Sequence, residues 1–195
     1  MFASLRCVPL TRNFKHRVVL PTCSQKRYFW EYVNMMFNKP DAERLKQLGP
    51  DRTCAEWVLR NGGAVVWSGG RRQTDYNSLP PEKAAVPKLV EIDGSGSSIS
   101  HYGFSHLSGC TELKKIILHD NKYIDDRAMA GLEYGKSSLT HVQVSECPNV
   151  TDAGLKQLKV LDKLETLVLF KLLSVDNMDE CKKFLKSHLS KCNIQ

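Results

Sequence analysis

The sequence predicts an α/β fold in which short strands and helices alternate and stack side by side. Three stretches that begin at Leu113, Leu139 and Leu164 follow one pattern, and their first leucines are 26 and 25 residues apart. In each stretch apolar residues alternate as in a half-buried strand, and a helix-capping residue and a helical apolar pattern follow. This pattern is typical of a leucine-rich repeat. Because one unit cannot bury its own apolar face, we expect the units to form a solenoid.

The middle unit, which starts at Leu139, shows the pattern most clearly. It has a strand with an inward side, a small residue that closes the turn, a helix cap, and an inward helix face. In that order these residues are Val142 and Val144, then Cys147, then Thr151 or Asp152, and finally Leu155 and Leu158. The spacing predicts that the two valines and the two leucines lie in the core.

The flanking units fit the same frame. In the unit before it the strand, cap and helix positions are Ile116 and Leu118, Ile124–Asp126, and Met129 and Leu132. The last unit has Leu167 and Leu169 in its strand and Ser174–Asp176 in place of a clear cap. Its helix carries several lysines (Lys182, Lys183, Lys186 and Lys191). We expect this lysine-rich helix to form the polar end of the stack.

A first, degenerate unit is expected before Leu113. Counting back 26 residues from Ile116 and Leu118 gives Val90 and Ile92 as its inward strand residues, and Ile99 and Leu107 fall on the later cap and helix positions. The sequence therefore predicts a leucine-rich repeat domain of about four strand–helix units over residues 86–195.

Residues 1–27 have the composition of a mitochondrial transit peptide. They contain several hydroxyl residues and six basic residues, and the first acidic residue of the chain is Glu31. The apolar run Val18–Leu20 is too short for a secretory signal, and no stretch of about eighteen apolar residues predicts a membrane span.

The formal charge of +7 comes almost entirely from that segment. The whole chain has 28 Lys and Arg against 21 Asp and Glu, so removal of the six basic residues at 1–27 leaves 22 against 21. A nearly neutral mature protein lacks the basic surface that nucleic-acid binding requires. We therefore expect no nucleic-acid partner.

The segment 28–85 predicts a small, mainly helical N-terminal capping domain. Asp41 is placed to cap one short helix and Asp51 a second one that stops at Gly62, and Ala64–Trp67 predicts a strand. A solenoid needs its first strand covered, which explains such a domain. Its aromatic start, Tyr28–Tyr32, is either packed inside or free to dock on a membrane or a subunit.

The cysteines beyond the transit segment predict buried thiols. Cys54, Cys110, Cys147, Cys181 and Cys192 are odd in number and show no CxxC spacing. This pattern indicates neither a disulfide framework nor a zinc site.

Several segments of residues 27–195 resemble one known family. RYFWEYVNMMFNKPDAERLKQLGPDRTCAEWVLRNGG and TDYNSLP, with YIDD and NVTDAGL in the repeats, are similar to mitochondrial ATP synthase subunit s, also called coupling factor B. The resemblance implies a peripheral protein on the matrix side of the mitochondrial inner membrane. It would contact membrane-sector subunits of the proton-translocating ATP synthase and support coupling.

The same resemblance implies a magnesium ion at Gly62 and Ser95. The Gly62 carbonyl and the Ser95 hydroxyl would hold it, with Ser standing here in place of Thr, and oxygen ligands suit this hard ion. Relatives can carry a Cys pair after the first full repeat strand, where this chain has His119 and Asn121. A dithiol mechanism is therefore not expected here.

The sequence predicts a non-catalytic protein and leaves rival functions open. Its histidines in the repeats (His101, His106, His119 and His141) come from separate positions with no matching nucleophile and acid, so the pattern does not indicate an enzyme. Assembly components of the distal membrane arm of respiratory complex I share the repeats and the mitochondrial address, and they give the alternative function. A ubiquitin-ligase receptor would need an F-box helix cluster ahead of the repeats, where this chain has the basic segment.

Overall fold

The computed structural model describes residues 23–82 and 84–195, with the backbone alone for residues 23–27. The transit-peptide prediction over residues 1–27 thus falls mostly outside the described residues. The helices are Cys23–Asn38 (α1), Ala42–Leu48 (α2), Pro50–Arg60 (α3), Asp126–Gly131 (α4), Asp152–Gln157 (α5) and Met178–His188 (α6). The strands are Ala64–Trp67 (β1), Arg72–Gln73 (β2), Leu89–Asp93 (β3), Lys115–His119 (β4), His141–Ser145 (β5), Thr166–Phe170 (β6) and Asn193–Ile194 (β7).

The strands form one mixed, seven-stranded sheet in the order β2-β1-β3-β4-β5-β6-β7. β1 runs antiparallel to both β2 and β3, and every later pair is parallel. The parallel strands are joined by helical crossovers, which include a 3-10 helix at His101–Leu107 after β3. The architecture confirms the α/β class that the sequence predicts.

One row of apolar side chains crosses five parallel strands. Ile92, Ile116, Val142, Leu167 and Ile194 are successive register partners, and all of them are buried. Alternate residues of β4, β5 and β6 face the helices, so the period-two pattern in the sequence becomes one continuous hydrophobic layer. The inward positions predicted for β4, β5 and β6 are confirmed.

The prediction for the first unit was wrong in register by two residues. Ile92 pairs with Ile116 rather than with Leu118, so this unit is 24 residues long instead of 26. Val90 is only half-buried, and the inward residues of β3 are Leu89 and Ile92. In this register Gly94 lies level with Leu118 of the next unit. A Cβ at position 94 would lie 3.3 Å from Leu118 Cδ2.

The same backbone turn follows the parallel strands β3, β4, β5 and β6. Gly96, Asp120, Glu146 and Lys171 all have positive φ, between 48° and 60°. The N–H groups of the first three donate to carbonyls of His119, Ser145 and Phe170 in the next unit, at 2.9–3.0 Å. The left-handed conformation costs energy in residues other than glycine, and the bond to the next unit fixes it.

Helix caps also join neighbouring units. The Asp126 carboxylate accepts hydrogen bonds from the backbone N–H and the hydroxyl of Thr151, the cap of α5. Asp152 accepts in the same way from the N–H groups of Asp176 and Asn177 before α6. Gly154 makes room for the first of these contacts, since an added Cβ would lie 2.2 Å from Asp126 Oδ1.

The front helices form as the capping signals predict, with one exception. Asp41 caps α2 by accepting from two backbone N–H groups, as expected. Asp51 does not cap α3, because the helix already begins at Pro50 after Gly49. Its buried carboxylate instead accepts from the N–H of Leu89 and from the Lys88 ammonium, and so fixes the start of β3.

The front segment shares its core with the later strand–helix units. Residues of α3 and β1, among them Trp57 and Val65, belong to the same buried cluster as the leucines of the later units. β1 also extends the sheet across the predicted boundary at residues 85 and 86. The front elements therefore cover the first parallel strand, as a cap must.

Candidate functional site

Helix α1 is attached to the rest of the molecule through its last turn. Asn38, which is fully buried, accepts hydrogen bonds from Trp57 Nε1 at 2.8 Å and from the Ser100 N–H at 2.9 Å. Its amide group and that of Asn34 both donate to the Ser98 carbonyl. These bonds hold α1 over the loops at the carboxyl ends of β3 and β4.

The outer face of α1 is apolar and exposed. Tyr28, Tyr32 and Met36, one turn apart on the same face, are 71%, 57% and 53% exposed, and Phe29 lies beside them. The sequence left open whether these rings pack inside or stay free, and the structure places them on the surface. Such a row of large side chains on a helix is unusual for a surface without a partner.

A cleft lies on the inner side of α1, between that helix and the strand-end loops. We call it the α1 cleft; its volume is about 510 Å³. It is lined by Trp30, Glu31, Asn34, Ser100, His101, Tyr102, Lys122, Tyr123, Asp125, Arg127 and Asn149. These residues come from four segments far apart in the sequence, so no local motif marks the site.

Three charged side chains of the α1 cleft, Arg127, Asp125 and Lys122, have close partners within the cleft. Two guanidinium nitrogens of Arg127 lie 2.9 and 2.7 Å from Asp125 Oδ2. The ammonium of Lys122 lies 5.3 Å from the centre of the Tyr123 ring, a cation–π distance. Burial holds the pKa of His101 below its ordinary value, which favours the neutral imidazole.

The structure brings together the segments that carry Gly62 and Ser95. Ala64 pairs with Asp93 across the sheet, and the Ser98 N–H donates to the Asn61 carbonyl at 2.9 Å. Gly62 turns the chain with a φ of +84° just before β1, and Ser95 follows β3. Both residues are exposed, so a small ion can reach either from solvent.

The groups around Ser95 fit a hard cation. The Ser95 hydroxyl donates to Asp93 Oδ1 at 2.6 Å, which leaves the lone pairs of its oxygen free. Burial alone would raise the pKa of Asp93, but the hydrogen bonds from Arg72 and Ser95 outweigh it and hold that pKa below its ordinary value. Among residues 23–82 and 84–195, no group of three His, Cys, Asp or Glu side chains is arranged to hold a metal.

The histidines singled out in the sequence take separate structural roles. His106 stacks on Trp57, with ring centres 5.3 Å apart. His119 Nδ1 lies 2.9 Å from the Ser145 hydroxyl on the open face of the sheet, and His141 Nδ1 lies 2.7 Å from the Thr140 hydroxyl. These three side chains have different partners and do not form one constellation.

Cys54, Cys110, Cys147, Cys181 and Cys192 are buried and free. Burial raises the pKa of the Cys147 and Cys192 thiols, which disfavours the reactive thiolate. Their positions fit the role of small apolar side chains that the sequence predicts for them.

The fold and these surfaces define an α/β protein of serial strand–helix units, with an aromatic helix docked at one end of its sheet. Comparison with known proteins shows which proteins the chain is similar to. The chain is 34% identical over 180 residues to "ATP synthase subunit s, mitochondrial" of Homo sapiens and of Mus musculus, covering 90% of both chains in each comparison. The protein of that name from Rattus norvegicus is 38% identical over 154 residues, or 77% of each chain. No protein-family model matches the chain.

The chain therefore belongs to the family of mitochondrial ATP synthase subunit s. This confirms the family that its sequence segments resemble. In the part of the chain that the structure describes, no helix is both long enough and apolar enough to cross a membrane.

Proposed function

We propose that this chain is a non-catalytic coupling or regulatory factor of the mitochondrial proton-translocating ATP synthase. It associates with membrane-sector subunits on the matrix side of the inner membrane. The observation that carries the proposal is the similarity over 90% of the chain to proteins named as a subunit of that synthase. Mitochondrial targeting by residues 1–27 belongs to the same proposal.

The architecture supports a role in binding. We infer that β3 to β6 with their crossovers are four leucine-rich repeat units over residues 86–195, covered by a capping domain at 28–85. The recurring turn at Gly96, Asp120, Glu146 and Lys171 and the shared register of the strands favour this interpretation. Repeat proteins of this kind present one extended face to a partner.

The outer face of α1 is the candidate contact with the membrane or with a membrane-sector subunit. Large amphipathic rings such as Tyr28 and Tyr32 suit the boundary between apolar and aqueous surroundings. Such contacts hold a protein peripherally, so alkaline or high-salt washing should release it from inner membranes.

Co-purification from gently solubilised inner membranes tests the function. We expect the chain to migrate with ATP synthase on native gels, and its depletion to impair proton-coupled ATP synthesis. Hydrolysis by the detached catalytic head should be unaffected, because the proposed role is coupling. Enrichment with membrane-arm intermediates of complex I, and none with ATP synthase, would favour the alternative role as an assembly factor.

We further propose a magnesium site at Gly62 and Ser95, where the Gly62 carbonyl and the Ser95 hydroxyl would hold the ion. Two protein ligands make a weak site that keeps several waters, so the ion would join the two segments rather than act in catalysis. Ser95→Ala should weaken magnesium binding and leave the melting temperature nearly unchanged, because the side chain is exposed. Isothermal titration calorimetry measures the affinity.

The matched control is Ser137→Ala, which removes another exposed hydroxyl far along the chain. This variant should bind magnesium as the parent does. Equal affinity in the Ser95 variant and the parent, or no binding by the parent, would remove the site.

A further inference from the structure

We propose that the α1 cleft is a receptor for an uncharged stretch of a partner polypeptide, which inserts one large apolar side chain and hydrogen-bonds through its backbone amides. The proposal deepens the docking role proposed above and rests on it. It concerns the inner side of α1, whereas the outer aromatic face was assigned to the membrane or subunit contact.

The walls of the cleft leave aromatic surface uncovered. Trp30 is 63% exposed and Tyr123 is 36% exposed. Large rings are the side chains that anchor apolar groups of a partner, because they bury much area at little cost in side-chain entropy. A cleft of about 510 Å³ is of the size that holds a compact ligand.

The cleft also contains a hydroxyl without a partner. Ser100 is 3% exposed and lines the cleft, while its backbone N–H is fixed by Asn38. Its Oγ is the one buried side-chain polar atom of the described residues with no hydrogen-bond partner. Buried polar groups are nearly always paired in folded proteins, so an orphan at a cleft indicates a group supplied from outside. A backbone amide can supply either a donor or an acceptor.

The charge balance of the cleft argues for an uncharged ligand. The Arg127 guanidinium forms a salt bridge with the Asp125 carboxylate, and the Lys122 ammonium lies over the Tyr123 ring. A charged ligand would have to break these contacts or be buried without a counter-ion, and both are costly. The carboxylate of Glu31, which also lines the cleft, is exposed to solvent, and its charge acts on His101 and Arg127. Two carboxylates of the cleft thus balance two cations. The uncharged groups that remain available include the Ser100 hydroxyl and the side-chain carbonyl of Asn34, whose amide nitrogen donates to Ser98.

An NMR titration of the full chain with single-residue probes tests the ligand class. The probe is N-acetyl-phenylalanine N-methylamide, which has an apolar ring, two amides and no charge. Its comparison probes are N-acetyl-phenylalanine, a carboxylate, and phenylalanine N-methylamide, an ammonium. We expect saturable shifts of the Ser100–Tyr102 and Tyr123 amides with the neutral probe at up to about 20 mM, and binding at least about threefold weaker with each charged probe.

Two variants and one control assign the effect to the cleft. Tyr123→Ala should weaken binding of the neutral probe about fivefold, whereas Tyr134→Ala, which removes a more exposed ring outside the cleft, should leave the affinity unchanged. Ser100→Ala should weaken the probe and raise the melting temperature of the free chain, because it removes the unpaired hydroxyl. No saturable shift at the cleft, tighter binding of a charged probe, or equal effects of the two tyrosine variants would overturn the proposal.

Photo-crosslinking identifies the source of the ligand. With p-benzoylphenylalanine at position 123 of the full chain, irradiation of inner membranes should label one short uncharged stretch of a partner polypeptide, and a synthetic copy of it should displace the neutral probe. Crosslinks to lipid alone would overturn the assignment to a polypeptide. If the chain co-purifies with ATP synthase but the neutral probe does not bind, the cleft proposal is wrong and the proposed function stands. If the probe binds but the chain does not co-purify with ATP synthase, only the proposed function is wrong.

Discussion

Asn38 shows how a single side chain positions a functional element. It ends α1 and is fully buried, and it links that helix to Trp57, Asn61, Ser98 and Ser100 through four hydrogen bonds. Each bond with a buried partner contributes modestly, but an unpaired partner left behind is costly. The position of α1 over the loops, and with it the shape of the α1 cleft, therefore depends strongly on the side-chain amide of Asn38. No pattern in the sequence marks Asn38, because its partners lie up to 62 residues away.

His106 is expected to make the protein less stable in acid. Burial lowers its pKa to about 4 from the ordinary 6.5, so the unfolded chain takes up a proton first as the pH falls. The contribution of the neutral ring is complete above pH 6.5 and is lost as the pH falls toward 4. His106→Phe keeps an aromatic ring against Trp57 but cannot titrate. At pH 5 its free energy of unfolding, relative to pH 7.5, should fall by about 2 kcal/mol less than that of the parent.

Urea unfolding at the two pH values measures this difference. Because Asp93 and Glu56 also have pKa values held below the ordinary range, the parent and the variant both lose stability in acid, and only their difference reports on His106. Identical pH dependence in the two proteins would show that the ring does not titrate as inferred.

At the scale of the element, the inward strand residues should decide whether the sheet forms. Val144 and Leu167 are both fully buried, and Val144→Asp or Leu167→Asp would place a charge without a partner in the apolar layer. We expect both variants to be unfolded at room temperature. The milder Leu167→Ala should cost roughly 2–5 kcal/mol in a chemical unfolding experiment.

Phe170→Asp is the matched control, since this neighbour in β6 faces solvent. It should change the melting temperature little. A melting temperature close to that of the parent in Val144→Asp would mean that the strand frame is wrong.

The sequence predicts these elements well where the signal is local. Alternating Val142 and Val144 and the cap at Thr151 are each specified by a few neighbouring residues, and the structure confirms them. The prediction for Val90 was wrong because the first unit is two residues shorter, which no local pattern shows. The prediction that Asp51 caps α3 was wrong because its carboxylate instead accepts a hydrogen bond from Leu89 at the start of the distant strand β3.

At the scale of the whole molecule, the outer face of α1 should carry more of the membrane association than any single residue of the repeats. Deletion of Tyr28–Tyr32 leaves Asn38 and the last turn in place, so the chain should still fold. The fraction bound to inner membranes should fall strongly. Single changes at His101, His119 or Ser145 should weaken association only modestly, because repeat proteins bind through a surface.

A finer variant separates the two sides of the helix. Tyr28→Ser, Phe29→Ser and Tyr32→Ser together remove the outer rings and keep Trp30 in the α1 cleft, and Tyr134→Ser is the exposed control. Sedimentation with inner membranes gives the bound fraction. Unchanged binding of the triple variant would mean that the outer face is not the contact.

The candidate site itself could be predicted only in part. The aromatic start of α1 was visible in the sequence, as were Gly62 and Ser95 through the family resemblance. The α1 cleft was not, because Trp30, Ser100 and Tyr123 meet only after the helix docks across the loops. The assembly of a site from four segments depends on tertiary contacts, which periodicity and capping rules do not predict.

The short strands β2 and β7 at the two edges of the sheet limit the addition of further strands from another molecule. Parallel units of nearly equal shape could in principle add another copy at either open edge, and the product would be a filament. At one edge β2 has only two residues and Arg72 stands on it, paired with Asp93. At the other edge Asn193 and Ile194 pair with β6, and Gln195 exchanges two further hydrogen bonds with it. These few residues oppose polymerisation, so a protein built from stackable parts can remain a discrete particle.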